Sequence, residues 1–173
     1  MQAEVIGSIP IFSTIQRGVT QFGSVPDLAS KLLIMDNTLI KGMTTELDCI
    51  RSFIAMGYQV SIPYGDCARY DFLAEKDGKI IRVQVKSSNW VDEDRTSFMF
   101  YARSAHINSK GVKQQKYDET QIDYFATFFE GKCYVIPVQE CSVSKTLRFI
   151  PTKSGQCKGV NFATDYELEK VLK

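Results

Sequence analysis

Hydrophobic and polar residues alternate along the segment KIIRVQVKSS, which spans residues 79–88. One side of the alternation is apolar and the other is polar: Ile81, Val83 and Val85 against Arg82, Gln84 and Lys86. This period of two predicts a β-strand with one apolar face. A strand in the middle of the chain is expected to be central and covered on both faces, so its row of polar side chains needs a purpose.

The segment before this strand completes a predicted hairpin. Asp77 and Gly78 form a strong two-residue turn signal between RYDFLAEK and KIIRVQVK. Counting outward from the turn places Asp71 opposite Gln84, with Lys86 two residues further along the same face. Cross-strand partners lie about 5 Å apart at Cβ, so a carboxylate, a carboxamide and an ammonium group converge. A one-residue bulge would break this register.

The rest of the pattern predicts helices at both ends and further strands between them. Apolar residues at helical spacing indicate a helix that ends at Gly57: Met43, Leu47, Ile50 and Ile54. Strands are predicted in YQVSIP, SFMFYA and TLRFIP, and a second hairpin in IDYFATFFEGKCYVIPVQ turns near Gly131 and Lys132. TDYELEKVL predicts a C-terminal helix with Thr164 as its N-cap. This order predicts an α/β (α+β) domain with a mixed central sheet flanked by helices.

The N-terminal region differs in character from the rest of the chain. Gly, Ser and Pro interrupt short apolar pieces there, and a short helix is predicted over residues 26–35. We expect residues 1–40 to form an N-terminal arm of unknown role and residues 41–173 to form the main domain.

Glu46 lies one residue away from the apolar stripe of the first long helix. It shares a side with Cys49, Ile50 and Phe53, which follow it by three, four and seven positions. Glu46 is therefore expected on or beside the buried face. A helix packed on the polar side of the hairpin would bring it to Asp71.

Composition indicates an ordinary globular protein of 173 residues, with 44% hydrophobic and 24% charged residues. No apolar run approaches the ~18 residues that a membrane span needs, and the N-terminus lacks the basic region of a secretory signal. The five cysteines include no C-x-x-C pair, so neither a zinc site nor a disulfide framework is indicated. We expect a cytoplasmic protein with reduced thiols.

The distribution of charge is more informative than the net charge of +1. Residues 95–117 contain no acidic residue, and aromatic side chains accompany the basic ones there: Arg95, Arg103, Lys110, Lys113 and Lys116. Such a segment is suited to follow the phosphate backbone of a nucleic acid. The alternative is a solvated surface loop.

Two carboxylates, a neutral oxygen ligand and a lysine together suit a hard cation. Mg²⁺ prefers carboxylate and carbonyl oxygens, and phosphodiester cleavage uses such an ion to polarise a phosphoryl oxygen and activate water. A nearby lysine orients that water or stabilises developing negative charge. The alternative is a solvated polar face on which Asp71 and Lys86 form a weak diagonal ion pair.

The run YDFLAEKDGKIIRVQVKSS resembles the signature of the PD-(D/E)xK nuclease superfamily. Asp71 matches the acid of the first strand, Lys86 the lysine, and Glu46 the helix glutamate, whereas Gln84 stands where most members have Asp or Glu. A glutamine in a QVK strand is similar to one branch, the cyanobacterial group I intron homing endonucleases and their bacterial relatives. The similarity continues in order through KGMTTELDCIRSFIAMGYQV, IPYGDCARYDF, INSKGVKQQKY, IDYF and NFATDYELE, over roughly residues 41–169.

The resemblance implies a Mg²⁺-dependent endonuclease that hydrolyses phosphodiester bonds of double-stranded DNA, with Mn²⁺ expected to substitute for Mg²⁺. Asp71, Glu46 and Gln84 would bind the metal ion, together with the backbone carbonyl of Val85. Lys86 would position or activate the attacking water. Phosphate contacts are expected from a basic set: Arg69, Arg103, Lys110, Lys113 and Lys116.

Two other interpretations stay open. A junction-resolving or phage-type nuclease would use the same fold, and a catalytically silent module would bind DNA without cleaving it. A double-strand break requires two sites and one small chain carries one, so a homo-oligomer is expected. The protein is expected to be bacterial or phage-associated.

Overall fold

The computed structural model describes residues 37–173 apart from residues 66, 109–110, 153–154 and 157, and it describes no side chain for residues 37, 105–108 and 112–113. Ile40–Lys173 forms one compact unit. The helix predicted over residues 26–35 lies outside the described residues. None of the helices in the described part of the chain is long and apolar enough to cross a membrane.

Helix α1 spans Asn37–Ala55, and Gly57 ends it with a φ of 84°, as its position in the sequence predicts. Ten strands follow within the described residues: β1 (Gln59–Ser61), β2 (Phe72–Lys76), β3 (Lys79–Val85), β4 (Asn89–Trp90), β5 (Ser97–Tyr101), β6 (Arg103–Asn108), β7 (Gly111–Lys116), β8 (Tyr124–Phe129), β9 (Lys132–Pro137) and β10 (Ser144–Arg148). One 3-10 helix, Val138–Glu140, follows β9, and another, Ala163–Tyr166, precedes the short helix α2, Leu168–Val171.

The strands form a mixed central sheet with two smaller sheets beside it. The central sheet has five strands in the order β1-β2-β3-β8-β9, and β3 pairs with β8 in parallel whereas the other neighbours are antiparallel. The second sheet has the order β10-β5-β4, and β6 and β7 form a separate two-stranded hairpin. The predicted α+β class with a mixed sheet is confirmed.

The β2–β3 hairpin has the register that its turn predicts. Asp77 and Gly78 both have positive φ, 52° and 75°, as the tightest hairpin turn requires. Lys76 pairs with Lys79, and the pairing continues without a bulge to Phe72 and Val83. Position 71 therefore comes next to position 84 at the open end of the hairpin.

Helix α1 packs on the apolar face of this hairpin. Its buried residues Cys49 and Phe53 belong to the first core cluster, together with Phe72, Val83 and Val85. The prediction that the helix covers the polar side is thus wrong. The physical reason is that Phe72, Ala74 and Val83 point to this face and are fully buried. The aromatic ring of Phe53 buries more area against them than it would against Arg82 or Gln84.

The apolar stripe chosen from the sequence is largely exposed. Met43, Leu47 and Ile54 are exposed by 55%, 63% and 56%, whereas Ile50 is half-buried. The neighbouring face with Cys49 and Phe53 is the one that packs. Both faces have helical spacing, so periodicity alone did not separate them.

A second core cluster lies between the central and the three-stranded sheets. It joins buried residues of β8 and β9 to buried residues of β5 and β10: Phe125, Tyr134, Ile136, Phe98, Phe100 and Leu147. Strand β8 carries both Phe125, in this cluster, and Ala126, in the first. The central sheet is covered on both faces there.

Three local predictions need correction. Residues 103–108 and 111–116 of the basic segment form a β-hairpin, β6–β7, where the sequence pattern predicts no strands. The second hairpin turns at Glu130 and Gly131, one residue earlier than predicted. The C-terminal helix is interrupted at Glu167, whose ψ of 137° is extended because it forms a β-bridge with Tyr134, and Phe162 rather than Thr164 precedes the first turn.

Candidate active site

Asp71 lies immediately before β2, at the open end of the hairpin. Its backbone N–H donates to the carbonyl of Val83 at 2.8 Å, which fixes the residue beside β3. Its carboxylate oxygen Oδ2 accepts two hydrogen bonds of 2.6 Å, one from Gln84 Nε2 and one from the backbone N–H of Val85. The carboxylate and the carboxamide therefore meet where the turn predicts.

Gln84 presents a neutral oxygen at the same place. The residue is only 8% exposed, and its Nε2 also lies 3.3 Å from the carbonyl oxygen of Val85. Since the amide nitrogen makes these contacts, Oε1 is the free end of the group, and it accepts no hydrogen bond from the described residues. A free carbonyl oxygen on a largely buried side chain is a good ligand for a hard cation.

Glu46 reaches the site from helix α1. The side chain is half-buried, and the structure gives it no hydrogen-bond donor among the described residues. Burial, and then the negative charge of Asp71, raise the pKa of Glu46. The charge of Asp71 thus acts on Glu46 although α1 covers the apolar face of the hairpin.

The pKa of Asp71 is also raised, chiefly by burial. The hydrogen bond from Val85, the positive charge of Lys86 and the hydrogen bond from Gln84 act in the opposite direction but do not cancel it. Both carboxyl groups thus have raised pKa values, and the charge of Asp71 contributes to the raised pKa of Glu46. A bound cation would stabilise the charged form of both.

Lys86 follows β3 and extends its parallel pairing, since its backbone N–H donates to the carbonyl of Ala126 at 2.9 Å. Its Nζ lies 3.4 Å from the hydroxyl of Tyr117 and 5.1 Å from the centre of that ring. Among the described ion pairs, none joins Lys86 to Asp71. The ammonium group is nevertheless close enough to lower the pKa of Asp71.

The donor set fits a divalent cation that prefers oxygen. Two carboxylates and two carbonyl oxygens are hard ligands: Asp71, Glu46, Gln84 Oε1 and the backbone oxygen of Val85. The described residues contain no cluster of three or more His, Cys, Asp or Glu side chains able to hold a metal.

The residues expected to contact phosphate lie around the β6–β7 hairpin. Arg103 and Lys116 are paired across its first rung, and Lys116 is exposed. Arg103 Nη1 donates to Gln114 Oε1 at 2.7 Å. Lys110 lies outside the described residues, and for Lys113 only the backbone, in β7, is described.

Arg69 lies at the base of the same hairpin. Its guanidinium donates to Ser104 Oγ at 3.1 Å, to the carbonyl of Lys116 at 3.3 Å and to Gln121 Oε1 at 3.3 Å. Its Cζ is 4.2 Å from the centre of the Tyr117 ring. These contacts tie the hairpin to the residues just before Asp71.

The sequence did not reveal two residues that shape the site. Tyr117 contacts both Lys86 and Arg69, but only its position at the end of the basic segment distinguished it. Arg82 binds Asp123 through Nη2 and Oδ1 at 2.8 Å, and its other guanidinium nitrogen donates to the carbonyl of Thr120. These contacts fix the segment that leads into β8, and they give a structural role to Arg82, one of the polar residues of β3.

The chain has the restriction-endonuclease-like fold. This class is indicated by the strand order, by the position of helix α1, and by Asp71, Gln84 and Lys86 at the open end of the β2–β3 hairpin. The sequence model of the family described as PD-(D/E)XK endonuclease matches residues 36–169. The chain belongs to this family and is therefore grouped with the endonucleases.

A comparison with solved structures supports the same fold. The structure of a bacterial homing endonuclease, I-Ssp6803I, aligns with a TM-score of 0.62 and 24% sequence identity, covering 76% of this chain and 88% of the other. A search of curated proteins finds no significant match.

Proposed function

We propose that this protein is a divalent-metal-dependent endonuclease that hydrolyses phosphodiester bonds in double-stranded DNA, in the manner of a homing endonuclease. The observation that carries the proposal is the pair of 2.6 Å hydrogen bonds that hold Asp71 against Gln84 and Val85. They assemble a charged, partly buried cluster that a purely structural hairpin does not need. Family membership supports the same activity.

Asp71, Glu46, Gln84 Oε1 and the carbonyl of Val85 would hold Mg²⁺, with Mn²⁺ as a substitute. The bound ion would polarise a phosphoryl oxygen and lower the pKa of an attacking water. The two carboxylates supply the negative charge, and Gln84 adds an oxygen without further repulsion. The raised pKa values of Asp71 and Glu46 support this assignment, because both groups gain from a neighbouring cation.

Lys86 contributes charge and hydrogen-bond donors at the reacting phosphate. Its effect on the pKa of Asp71 supports an ammonium group near that carboxylate. There it would orient the attacking water and stabilise the negative charge that develops on the phosphate oxygens.

The β6–β7 hairpin and Arg69 would bind the DNA backbone. Arg103 and Lys116 support this from the described residues, and Lys110 and Lys113 add positive charge on the same segment. Each phosphate contact strengthens binding in a salt-dependent manner.

We also propose a homo-oligomer, since cutting both strands requires two sites. The exposed apolar residues Met43, Leu47 and Ile54 on helix α1 support an interface there. Analytical ultracentrifugation of the wild type and of Leu47→Glu measures the oligomeric state of each and so tests this assembly. A monomeric wild type would contradict it.

The domain boundary and the location belong to the same proposal. We place the nuclease domain at residues 41–173, and residues 1–40 form an arm outside it. We assign the protein to the cytoplasm, as a bacterial or phage-associated protein.

The direct test is cleavage of a plasmid library with randomised inserts, followed by sequencing of the cut ends. With Mg²⁺ the wild type should cut, and Asp71→Ala and Lys86→Ala should each lose about 100-fold or more in rate. Asp165→Ala and Lys79→Ala, both exposed and distant in the fold, are the controls. Undiminished cutting by Asp71→Ala and Lys86→Ala would overturn the residue assignment.

The same assay separates the alternatives. Preferential cleavage of a four-way junction over linear duplex would identify a junction-resolving nuclease. Salt-dependent DNA binding without cleavage in Mg²⁺ or Mn²⁺ would identify a silent binding module.

A further inference from the structure

Tyr117 lies between Lys86 and the β6–β7 hairpin, because it directly follows β7. Its hydroxyl is 3.4 Å from Lys86 Nζ, so the ammonium group donates to it, and the same Nζ lies 5.1 Å from the ring centre. On the same ring, the Cζ of Arg69 is 4.2 Å from the centre. The ring of Tyr117 therefore contacts two positively charged side chains.

The ring has little freedom to move. Its edge meets the ring of Phe125 with centroids 5.4 Å apart and an interplanar angle of 86°, and Phe125 is only 1% exposed. Arg69 holds the ring from outside, and its guanidinium is itself fixed to Ser104 and to the carbonyl of Lys116. Tyr117 is thus a rigid support against which a flexible side chain packs.

A lysine side chain has four rotatable carbon bonds and loses much freedom when it is held in one orientation. A hydroxyl acceptor and a ring face together restrict where its ammonium group points. We propose that Tyr117 is a positioning residue that holds Lys86 in the orientation required for hydrolysis. This inference rests on the proposed function of the Asp71 site.

The test compares Tyr117→Leu and Tyr117→Phe with the same changes at Tyr58. Tyr58 is a close match, because Lys76 Nζ lies 5.2 Å from its ring centre and Phe53 meets its edge at 5.4 Å, at the other end of the hairpin. We expect Tyr117→Leu to lower the single-turnover cleavage rate about 10- to 100-fold. Tyr117→Phe, which keeps the ring, should lose less, and both Tyr58 variants should cleave like the wild type.

DNA affinity separates positioning from binding. Measured in Ca²⁺, in which cleavage is suppressed, the dissociation constant of Tyr117→Leu should stay within about twofold of the wild type, since the lysine acts on the reacting phosphate in the transition state. An unchanged rate, or a loss of rate matched by an equal loss of affinity, would overturn the inference.

A spectroscopic readout does not depend on cleavage. The ring current of Tyr117 should shift the Hε signals of Lys86, assigned by their loss in Lys86→Arg, and the shift should persist in Tyr117→Phe and disappear in Tyr117→Leu. Unchanged Lys86 signals in a folded Tyr117→Leu would overturn the inference.

If Lys86→Ala fails to cleave but Tyr117→Leu cleaves normally, positioning by Tyr117 is refuted and the proposed function stands. A wild type that never cleaves refutes the proposed function.

Discussion

Gln84 serves Asp71 in a way that an acid at the same position does not. Its Nε2 donates a 2.6 Å hydrogen bond to the Asp71 carboxylate, while its Oε1 remains available as a neutral ligand. A glutamate would bring an extra negative charge and lose the donor. The cluster therefore contains two carboxylates, one positively charged lysine and one neutral amide.

Gln84→Glu should destabilise the metal-free protein and make its stability depend more strongly on Mg²⁺. Loss of a hydrogen bond to a charged group, with added repulsion, should lower the free energy of unfolding by about 1–3 kcal/mol. Mg²⁺ should recover much of this, because the cation offsets the carboxylates. Thermal unfolding in EDTA and in Mg²⁺ measures the difference, with Gln59→Glu on exposed β1 as the control. Equal Mg²⁺ responses of Gln84→Glu and wild type would argue against a metal at this residue.

The meeting of Asp71 and Gln84 could be predicted because one local signal, Asp77-Gly78, fixes the register of the whole hairpin. The contact between Tyr117 and Lys86 could not. It joins residues 31 positions apart, and it depends on the path of the chain from β7 to β8 across the end of β3. No local spacing encodes such a path.

Helix α1 carries Glu46, and its stability should respond in opposite directions to two glycine substitutions. Gly42 lies inside the helix with open space where a Cβ would be, so Gly42→Ala should stabilise the protein by about 0.5–1 kcal/mol. Gly57 has a φ of 84° after the helix, so Gly57→Ala should destabilise it by about 1 kcal/mol. Chemical denaturation measures both. Effects of equal sign would show that the helix boundary is misplaced.

The face of α1 that packs was not predictable from spacing alone. The Met43-Leu47 stripe and the Cys49-Phe53 face are neighbours on the helix, and both have apolar residues at suitable intervals. Tertiary contact decided between them, because Phe53 meets Phe72 edge-on with centroids 5.2 Å apart. Glu46 lies on the same side of the helix as Cys49, and the charge of Asp71 contributes to its raised pKa.

The ion pair between Arg82 and Asp123, called here the Arg82–Asp123 clamp, should make the free energy of unfolding decrease as the pH falls. Hydrogen bonds from Arg82 lower the pKa of Asp123 in the folded protein. The clamp therefore stabilises the fold above the unfolded pKa of about 4, and this stabilisation is lost as the pH falls through the lower folded value.

Asp123→Asn should thus cost about 1–2 kcal/mol at pH 7, and the difference from wild type should shrink in acid. Urea denaturation at both pH values measures it. Asp48→Asn is the control, because its ion pair with Arg51 is 3.5 Å long and well exposed. A difference between wild type and Asp123→Asn that grows in acid would contradict the lowered pKa.

At the scale of the whole molecule, basic charge lies on the hairpin that neighbours the site, although the net charge is only +1. If Lys116 contacts a phosphate, Lys116→Ala should weaken binding to all duplexes and reduce the slope of log K against log salt by about 1. Lys79→Ala, at the far turn of the β2–β3 hairpin, should leave the slope unchanged. Fluorescence anisotropy over a salt series measures both, and equal slopes for Lys116→Ala and wild type would remove Lys116 from the interface.

The fold class could be predicted from the alternation of helix and strand signals, whereas the division into three sheets could not. The β6–β7 hairpin consists mainly of polar residues, and among the side chains that the structure describes there, Ala102 and Tyr117 at its flanks join the second core cluster. Without an apolar alternation its strands resemble a solvated loop in the sequence.

The most direct measurement for the central claim is anomalous diffraction from crystals containing Mn²⁺. One strong peak should lie within coordination distance, about 2.0–2.5 Å, of carboxylate oxygens of Asp71 and Glu46 and of Gln84 Oε1. The peak should vanish in Asp71→Asn crystals under the same conditions. A manganese ion bound elsewhere, with no density between Asp71 and Glu46, would contradict the account.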